Sequence, residues 1–515
     1  MTDKLIAIPI AAPTVEEAIR RVPQAETLAD IIEFRLDYLR DFSLTDPLPD
    51  VTRLLLISKR PVILTYHPNL SQQSKRVPTF QQQIAMWRSL FALAEERSLY
   101  FDLDLRLAEW FHAAREPVPW DRIIASYHDF KETPVDLSDV YERMKATRAA
   151  VLKVATQAQN ILDNLALYTL LEQARRENRR LIALAMGQAG IMSRILSPAW
   201  GGFLTFGALT ADEQTAPGQL TAHQLRSFYR VPKITSGTNI AGVIGDSVQH
   251  SFSPALHNAA YERLNLDWVY LPLLVRDLER FMLDFVNPRT RRLNWNLRGL
   301  SVTIPHKIEI LKYLDIIDAI AGQVGAVNTV VIESGTMIGY NTDVEGAMRP
   351  LRERLGLSGI RAVVLGAGGA ARAVGFGLKQ GGAQVTILAR NKSKAGELAK
   401  RLGGEAGTLK DLTASEYDVL INATPVGMGD TLYESPVPTH LLRPETVVFD
   451  LVARPEETKL LRDARERGCH TINGLEMLVH QAARQFELWT NEPAPIETMF
   501  HAVLPALRAE ERGSN

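Results

Sequence analysis

A lysine stands in the middle of an apolar run in the first half of the chain, where a charged side chain is costly. Lys153 lies within Ala149–Thr156, and most of its neighbours in that run are apolar. Burial disfavours the ammonium form, and the neutral amine is a nucleophile toward carbonyl carbons. The pattern indicates either a lysine that forms an imine with a ketone or a structural lysine that snorkels or pairs with a carboxylate.

Other polar residues fall in or just after neighbouring apolar runs. His128 closes the run that precedes the lysine, where a general acid–base could reach an imine. Period-two alternation predicts Glu33, Arg35 and Asp37 on one strand face, as a polar substrate site or as a structural ion network. Arg194 follows a later run and could hold a substrate carboxylate through a bidentate ion pair.

A glycine-rich turn in the second half follows a β-branched run and opens a helical segment. The turn is Gly366-Ala367-Gly368-Gly369-Ala370, directly after Ala362–Leu365. Such glycines let the backbone approach a pyrophosphate, which the helix N-terminus attracts. The next strand leads into Arg390, Lys392 and Lys394 where an NAD site has an acidic residue. This charge favours the 2′-phosphate of NADP, although a solvated basic turn is the alternative.

Lys307 and Asp343 are a second pair that could carry chemistry. Lys307 ends the run Gly299–Lys307, and Asp343 ends Gly339–Asp343. A lysine beside a carboxylate can pass the proton that accompanies hydride transfer to a ketone. Taken alone, the two residues fit a surface salt bridge at least as well.

The elements that must position these residues repeat one pattern in the first half, a short apolar run followed by a longer helical segment. Eight strands in about 210 residues are typical of a (β/α)₈ TIM barrel, whose chemistry lies at the C-terminal strand ends. The predicted strands are Leu5–Ile10, Ile31–Asp37, Val62–His67, Tyr100–Leu105, Arg122–Asp129, Ala149–Thr156, Leu181–Gly187 and Phe203–Leu209.

The second half restarts as an α/β doubly wound pattern with a Rossmann nucleotide-binding domain. Predicted strands are Ala241–Gly245, Trp268–Val275, Leu297–Ile304, Arg361–Leu365, Val385–Leu388, Val419–Asn422 and Val447–Asp450. We predict a barrel over 1–230, a linker over 231–239, a substrate-binding domain over 240–345 and a Rossmann domain over 346–474. Helices over 475–515 are expected to pack back on the substrate-binding domain.

The composition is that of an ordinary globular protein. Of 515 residues, 46% are hydrophobic, and 58 basic against 59 acidic residues leave a net charge of −1. We expect no nucleic-acid or membrane partner, since no apolar stretch approaches the roughly 20 residues that span a bilayer. The one cysteine, Cys469, excludes an internal disulfide and is expected to be a buried residue entering a strand. With no secretion signal, we expect a cytoplasmic protein.

The motifs of the first half together resemble type I 3-dehydroquinate dehydratase, in family order over most of residues 5–220. They are Glu33-x-Arg35-x-Asp37, Ser126-Tyr127-His128-Asp129-Phe130, Lys153 in its apolar run, Met186-Gly187 with Ser193-Arg194, and Thr215-Ala216-Pro217-Gly218-Gln219. The resemblance implies that Lys153 forms an imine with the ketone of 3-dehydroquinate, which makes the adjacent carbon acidic. His128 then moves the protons. The implied binding residues are Arg194 for the carboxylate and Glu33, Arg35, Thr215 and Gln219 for hydroxyls or pocket order.

Two positions in Thr65-Tyr66-His67-Pro68-Asn69-Leu70-Ser71 depart from that family's pattern. His67 stands where the family has an arginine, and Ser71 where it has a glutamate that supports the catalytic histidine. The change leaves open a weakened dehydratase. We keep His67 as a candidate substrate-binding residue. Thr215 replaces a serine of the family and keeps its hydroxyl.

The second half resembles shikimate dehydrogenase from about residue 240 to 505. The motifs are Val243-Ile244-Gly245-Asp246, His250-Ser251-Phe252-Ser253-Pro254, Ser301-Val302-Thr303-Ile304-Pro305-His306-Lys307, Gly325-Ala326-Val327-Asn328-Thr329, Asn341-Thr342-Asp343, Asn422-Ala423-Thr424-Pro425-Val426-Gly427-Met428 and Gly474-Leu475-Glu476-Met477-Leu478 with Gln481. The family has a tyrosine where Ala453 stands, which removes one substrate contact.

The resemblance implies a catalytic pair, Lys307 and Asp343, and two further sets of residues. Substrate hydroxyls and carboxylate are implied to contact Ser251, Ser253, Ser301, Thr303, Asn328, Asp343 and Gln481. Nicotinamide is implied to contact Thr424 and Met428, with Gly474 and Met477 near the junction of cofactor and substrate. The only cofactor we expect is NADP, with no metal ion.

Together the halves predict a bifunctional shikimate-pathway enzyme, because the first reaction yields 3-dehydroshikimate and the second reduces it to shikimate. Three alternatives stay open: an active dehydrogenase on an impaired barrel, a non-catalytic NADP sensor, and oxidation of quinate rather than shikimate. The sequence gives no oligomeric state.

Overall fold

The computed structural model describes residues 4–67, 78–95, 98–413 and 416–513, and the chain forms two compact units. One unit comprises Met1–Asn239, Asp246–Gln249 and Leu271–Asn296, and the other Ile240–Gly245, His250–Tyr270 and Leu297–Asn515. Ser71, which replaces the family's glutamate, lies outside the described residues.

Eight short parallel strands and the helices between them build the N-terminal part of the first unit. The strands are β1 (Leu5–Ile10), β2 (Ile31–Arg35), β3 (Val62–Thr65), β4 (Leu99–Asp104), β5 (Ile123–Asp129), β6 (Val151–Gln157), β7 (Arg180–Met186) and β8 (Leu204–Phe206). The helices are α1 (Val15–Glu26), α2 (Leu48–Ile57), α3 (Phe80–Phe91), α4 (Leu105–Ala113), α5 (Ser138–Ala146), α6 (Asn164–Arg176) and α7 (Ile191–Leu196).

These strands form one sheet in the order β7-β6-β5-β4-β3-β2-β1-β8, with β1 parallel to both β2 and β8. Because the last strand returns to the first, the sheet is a nearly closed barrel, and the predicted (β/α)₈ fold is confirmed. Side-chain caps help to start its helices. Thr14 accepts a hydrogen bond from the backbone of Glu17 before α1, and Thr79 and Gln82 form a capping box before α3.

The barrel has an apolar floor and a polar mouth, because strand residues of period two face the same side. Glu33, Thr65, Ser126 and Lys153 each lie two residues beyond a member of the apolar cluster, toward the C-terminal strand ends. The cluster contains Ala7, Ile31, Ile63, Ile124, Val151, Ile182, Leu184, Leu204 and Phe206.

The predicted placement of Asp37 on the strand face of Glu33 and Arg35 is wrong. Strand β2 ends at Arg35, and Asp37 lies in the 3₁₀ turn Leu36–Tyr38. The turn folds the carboxylate of Asp37 back onto the guanidinium of Arg35, so that these two charges meet without sharing a strand.

From residue 239 onward the chain contains two further sheets and nine helices within the described ranges. The strands are β9 (Asn239–Gly245), β10 (Trp268–Leu274), β11 (Leu297–Val302), β12 (Ile316–Ile317), β13 (Thr329–Glu333), β14 (Thr336–Tyr340), β15 (Arg361–Leu365), β16 (Gln384–Leu388), β17 (Glu405–Gly407), β18 (Val419–Asn422), β19 (Val447–Asp450) and β20 (His470–Ile472). The helices are α8 (Ser253–Arg263), α9 (Leu278–Phe281), α10 (Ala319–Val324), α11 (Asp343–Arg352), α12 (Gly369–Gln380), α13 (Lys392–Leu402), α14 (Lys459–Glu466), α15 (Gly474–Thr490) and α16 (Ile496–Gly513).

The sheet order of the second half explains where a nucleotide could bind. The first sheet has the order β10-β9-β11-β13-β14-β12 and is mixed, since β13 runs antiparallel to both β11 and β14. The second has the order β17-β16-β15-β18-β19-β20 and is parallel throughout. Its order reverses between β15 and β18, which is where dinucleotides bind in doubly wound sheets. The predicted Rossmann fold is confirmed.

The C-terminal helices pack against earlier elements: α16 contacts α8, and α15 contacts α8 and α11. The residue bounds of the predicted domains stay predictions. Cys469 is buried directly before β20. Within the described ranges, none of the helices combines the length and apolar character needed to cross a lipid bilayer.

Candidate active sites

A cavity at the C-terminal ends of the barrel strands collects the residues that the sequence predicts for the first half. The space between its protein atoms, including the part open to solvent, is about 580 Å³. The predicted residues that line it are Glu33, Arg35, His67, His128, Lys153, Arg194, Thr215 and Gln219. Side chains that are far apart in the sequence therefore share one concave, partly apolar space of the kind that binds small molecules.

Lys153 lies within the barrel with its amine shielded from bulk water. The residue is 6% exposed, and Nζ lies 4.6 Å from the centroid of the Phe206 ring. Nζ donates to Oδ2 of Asp102 at 2.6 Å and lies 3.9 Å from Oε1 of Glu33. The resting amine is thus paired with a carboxylate, as one alternative proposed, and it also lines the cavity where a ketone could reach it.

Asp102 is a site residue that the sequence reasoning missed. It is fully buried in β4, and its two oxygens contact Lys153 and His67. Burial alone would raise the pKa of this carboxyl, but the charge of Lys153 and the hydrogen bond from His67 hold the pKa well below its usual value. The alternation Tyr100, Asp102, Asp104 in the predicted strand was the signal that could have revealed it.

His128 contacts two aromatic rings. Its ring centroid lies 4.8 Å from that of His67, edge to face, and 6.0 Å from that of Phe130, stacked. Desolvation in the cavity, and then the charges of His67 and Lys153, lower the pKa of His128 well below its usual value. The imidazole is therefore neutral near pH 7 and can accept a proton.

The charged side chains of β2 already have hydrogen-bond partners within the protein. Nε and Nη2 of Arg35 donate to the two carboxylate oxygens of Asp37 at 3.0 and 2.7 Å. Oγ1 of Thr65 donates to Oε1 of Glu33 at 2.7 Å. The sequence left an ion network and a polar substrate site as alternatives. The ion pair is present, and Glu33 and Arg35 also line the cavity.

Arg194 is a buried cation that lacks a carboxylate partner among the described residues. It is 2% exposed, Nη2 donates to the carbonyl of Pro217 at 3.2 Å, and Nε has no hydrogen-bond partner. Burial lowers the pKa of Arg194 to about 10. An anionic ligand would compensate the buried positive charge. Nearby, Oε1 of Gln219 accepts from the backbone and hydroxyl of Thr215, which closes the loop that bears both residues.

The second half brings Lys307 and Asp343 together as an ion pair. Nζ of Lys307 lies 2.7 Å from Oδ2 of Asp343, and Nδ2 of Asn328 donates to Oδ1 at 2.8 Å. Asp343 is 8% exposed and is the first residue of α11, where the helix dipole favours a negative charge. Because both oxygens are held, the carboxylate fixes the position of an amine that remains partly accessible.

A buried chain of hydrogen bonds extends from this pair. Tyr270 Oη donates to Ser301 Oγ at 2.6 Å, and Ser301 donates to Oε1 of Gln485 at 2.7 Å. Nε2 of Gln485 donates to Oγ1 of Thr329 at 2.9 Å, which donates to Oδ1 of Asn328 at 2.8 Å. Sequence reasoning found Ser301 and Asn328 but missed Tyr270 and Gln485, which fix their orientation.

The other predicted substrate-binding residues of this half make mainly local contacts. Oγ of Ser251 accepts from the backbone of Ser253, and the backbone of Thr303 donates to the carbonyl of Ile244. Gln481 is buried on α15 and packs against Gly346, one turn after the start of α11. Their contacts with a substrate stay predictions.

The glycine turn after β15 has the form needed to hold a pyrophosphate. Gly366 has φ +110°, and a Cβ there would lie 2.9 Å from the carbonyl oxygen of Ala423. A Cβ on Gly368 or Gly369 would meet no atom within 4 Å, so the N-terminus of α12 faces open space. Ala367 lies in the turn, and Ala370 is the second residue of α12. These features fit the diphosphate of a dinucleotide.

Positive charge follows the next strand. Arg390 and Lys394 are exposed, and neither forms a salt bridge with a described residue. Asn391 caps α13 by accepting from the backbone of Lys394 at 3.1 Å. The two cations therefore lie where a 2′-phosphate could be bound, which fits NADP.

A buried carboxyl fixes the loop after β18. Oδ1 of Asn422 accepts from the hydroxyl of Thr424 at 2.6 Å, and Nδ2 donates to Oδ1 of Asp450 at 2.9 Å. Burial raises the pKa of Asp450 to about 6. Met428 follows in the same loop and is exposed. Asp450 is a second residue that the sequence reasoning placed in a strand without assigning it a role.

Gly474 lets the start of α15 approach the chain after β19. A Cβ at this position would lie 2.4 Å from the carbonyl carbon and oxygen of Val452. Met477 is buried one turn later. The close approach explains why glycine occupies the position where the sequence predicted the junction of cofactor and substrate.

Known protein families match the chain in four consecutive segments. Residues 6–236 match the family described as type I 3-dehydroquinase, and residues 243–330 match the shikimate dehydrogenase substrate binding domain. Residues 351–451 match shikimate/quinate 5-dehydrogenase, and residues 474–504 match the shikimate 5′-dehydrogenase C-terminal domain.

Individual relatives match either the whole chain or its second half. The chloroplastic bifunctional 3-dehydroquinate dehydratase/shikimate dehydrogenase of Arabidopsis thaliana is 35% identical over 96% of this chain and 83% of its own. An NADP(+) shikimate dehydrogenase of Dehalococcoides mccartyi is 42% identical over 53% of this chain and 97% of its own. A crystal structure of a shikimate dehydrogenase with NADP+ is 40% identical, with TM-score 0.50, and covers 53% of this chain and 97% of its own.

Proposed function

This chain belongs to the family of bifunctional 3-dehydroquinate dehydratase/shikimate dehydrogenases, and from that premise we propose the roles of its residues in two consecutive reactions. The first converts 3-dehydroquinate to 3-dehydroshikimate, and the second reduces 3-dehydroshikimate to shikimate with NADPH. The single observation that carries the proposal is the buried amine of Lys153 in a cavity that also contains the guanidinium of Arg194, which has no carboxylate partner among the described residues.

In the dehydration, the substrate carboxylate pairs with Arg194, and the ketone then lies near Lys153. Lys153 gives one proton to the neutral His128, and the free amine adds to the carbonyl carbon. His128 returns that proton to the new hydroxyl, which leaves as water, so that an imine forms. The imine withdraws electrons from the adjacent C–H bond, so that His128 can remove that proton. Loss of the hydroxyl as water creates the double bond, and a second water releases the product by hydrolysing the imine. Glu33 and Gln219 bind substrate hydroxyls.

In the reduction, Lys307 and Asp343 hold the substrate and deliver a proton to the ketone oxygen. NADPH, when bound, supplies the hydride. The turn Gly366–Gly369 would hold its diphosphate, and Arg390 and Lys394 its 2′-phosphate. Asn328 keeps the carboxylate of Asp343 oriented toward the amine of Lys307, so that the proton donor stays in place during the reaction.

The two activities can be tested separately in one protein preparation. Given 3-dehydroquinate without NADPH, the wild-type chain should form the conjugated enone, which absorbs in the ultraviolet. Adding NADPH should then consume the enone. The variant Lys307→Ala should accumulate the enone and lose the reduction by about a hundredfold or more, because a general acid is removed. A chain that reduces 3-dehydroshikimate but never forms the enone would instead carry an impaired barrel.

A further inference from the structure

His67 stands in the barrel cavity where the family resemblance expects an arginine, and its contacts are not those of an arginine. Nε2 lies 3.2 Å from Oδ1 of Asp102, whose other oxygen accepts from Lys153 at 2.6 Å. One buried carboxylate therefore joins the amine proposed to form the imine to a second imidazole. An arginine side chain always donates hydrogen bonds and always carries a positive charge. A histidine ring can instead be neutral, and one of its nitrogens then donates while the other accepts.

The hydrogen bonds around His67 determine its tautomer. Oγ of Ser126 lies 3.3 Å from Nε2 and donates its own hydrogen to the carbonyl of Leu103 at 3.2 Å. Asp102 is ionised, because the charge of Lys153 and the bond from His67 outweigh the effect of burial on its pKa. Because the ionised Asp102 can only accept, Nε2 carries the hydrogen and donates it, and in the neutral ring the lone pair lies on Nδ1.

The ring of His67 also contacts the proposed general acid–base. The rings of His67 and His128 meet edge to face with centroids 4.8 Å apart, and Phe130 stacks on His128. The ring of His128 therefore contacts two aromatic rings, one edge to face and one stacked. His67 in turn contacts Asp102 and Ser126, and Asp102 also accepts from Lys153. The orientation of His128 therefore depends on His67, which Asp102 holds in place.

We propose that His67 is a positioning residue of the dehydration, which holds Asp102 against Lys153 and fixes the ring of His128. This rests on the proposed dehydratase function and differs from the substrate-binding role predicted for His67 from the sequence. The titratable groups that surround His67 and His128 come from four strands: Glu33 and Arg35 from β2, Asp102 from β4, His128 from β5 and Lys153 from β6.

Two substitutions separate the two contacts of His67. His67→Gln keeps an amide N–H that can donate to Asp102 but removes the ring beside His128. His67→Phe keeps the ring contact but removes the donor. For both variants we expect kcat of enone formation to fall by about tenfold to a hundredfold, because misplaced catalytic groups lose effective concentration. KM for 3-dehydroquinate should stay within about threefold, since a positioning residue does not bind the substrate.

The pH profile supplies a readout that a purely structural role would not move. In its protonated form His67 lowers the pKa of His128 by its charge, after desolvation as the larger cause. Removing the imidazole should therefore raise the pKa of His128, and the acid limb of kcat/KM should move to higher pH in both variants. His112→Gln, an exposed histidine of α4, is the matched control and should leave kcat, KM and the acid limb unchanged.

Folding is checked in the same molecule, because NADPH-dependent reduction reports on the second half and the thermal transition on the whole chain. If His67→Phe does not fold, the kinetics and pH profile of His67→Gln test the proposal. A raised KM with unchanged kcat would show that His67 binds substrate, and an unchanged acid limb would show that it does not act on His128; either result overturns the proposal. Absence of the enone with the wild-type chain would instead overturn the dehydratase function on which the proposal rests.

Discussion

At the scale of single residues, the barrel site combines a paired amine with an unpaired guanidinium. Lys153 has Asp102 as its partner, so its burial is compensated in the free protein. Among the described residues, Arg194 donates to the carbonyl of Pro217, and its Nε has no hydrogen-bond partner. A buried cation without a carboxylate partner destabilises the fold. Such a cation is typical of a binding site in which an anionic ligand supplies the missing negative charge.

Arg194→Gln should therefore separate binding from stability. We expect kcat/KM for 3-dehydroquinate to fall by about a hundredfold, mostly through KM, because the substrate carboxylate loses its ion pair. The thermal midpoint of the free protein should rise, since an uncompensated buried charge is removed. Steady-state kinetics and calorimetry measure the two effects. Arg176→Gln, an exposed arginine on α6, is the control, and an unchanged KM in Arg194→Gln would contradict the assigned role.

Asp450 makes a prediction about pH. Because burial raises its folded-state pKa to about 6 from an ordinary value near 4, the folded chain binds a proton more tightly than the unfolded chain between these pH values. The stability contributed by this group is therefore fully present below about pH 4 and is lost as the pH rises to about 6.

Asp450→Asn should remove that dependence. The unfolding free energy of Asp450→Asn minus that of the wild type should increase by about 1–3 kcal/mol from pH 4 to pH 7. Denaturant titrations at several pH values give this difference. Asp430→Asn, at an exposed position nearby, should show no such trend, and a flat difference for Asp450→Asn would mean that its carboxyl is not desolvated as described.

At the scale of elements, the sequence predicted most strands because their apolar runs are continuous. The bounds of β15, β18 and β19 are confirmed to the residue. Strands β13 and β14 were missed, although Ser334-Gly335 between them is a typical hairpin turn with positive φ at both residues. Asp102 was missed because its contacts with His67 and Lys153 join segments far apart in the sequence, and the alternation within its own strand does not by itself assign a role.

The start of α15 allows a test of element position. In Gly474→Ala the new Cβ would meet the backbone of Val452, which cannot move as a side chain can, so the helix and Met477 must shift. We expect the reduction to slow by about tenfold or more and stability to fall by about 1–3 kcal/mol. Gly396→Ala, in open space on α13, is the control and should be neutral or stabilising.

Enone formation by the barrel should be unaffected in Gly474→Ala, since the substitution lies in the second unit. Assays of both activities on the same sample measure this. Wild-type reduction rates in Gly474→Ala would mean that the close approach of α15 to Val452 does not position the cofactor site.

At the scale of the whole molecule, two consecutive activities lie on one chain. Joining them keeps the two sites at a fixed maximum separation and can raise the local concentration of 3-dehydroshikimate near the second site. The resemblance of the two halves to known families was recognisable in the sequence because many motifs occur in family order. The hydrogen bonds of His67, Asp102 and Gln485 were not, since they depend on side-chain packing between distant segments.

The central claim is that Lys153 forms a covalent imine with 3-dehydroquinate, and trapping measures it most directly. The wild-type chain is treated with borohydride in the presence of 3-dehydroquinate, digested and mapped by mass spectrometry. We expect one modified peptide with the adduct on Lys153, loss of enone formation, retained NADPH-dependent reduction, and no adduct in Lys153→Ala. An active dehydratase with no adduct, or with the adduct on another lysine, would contradict the account.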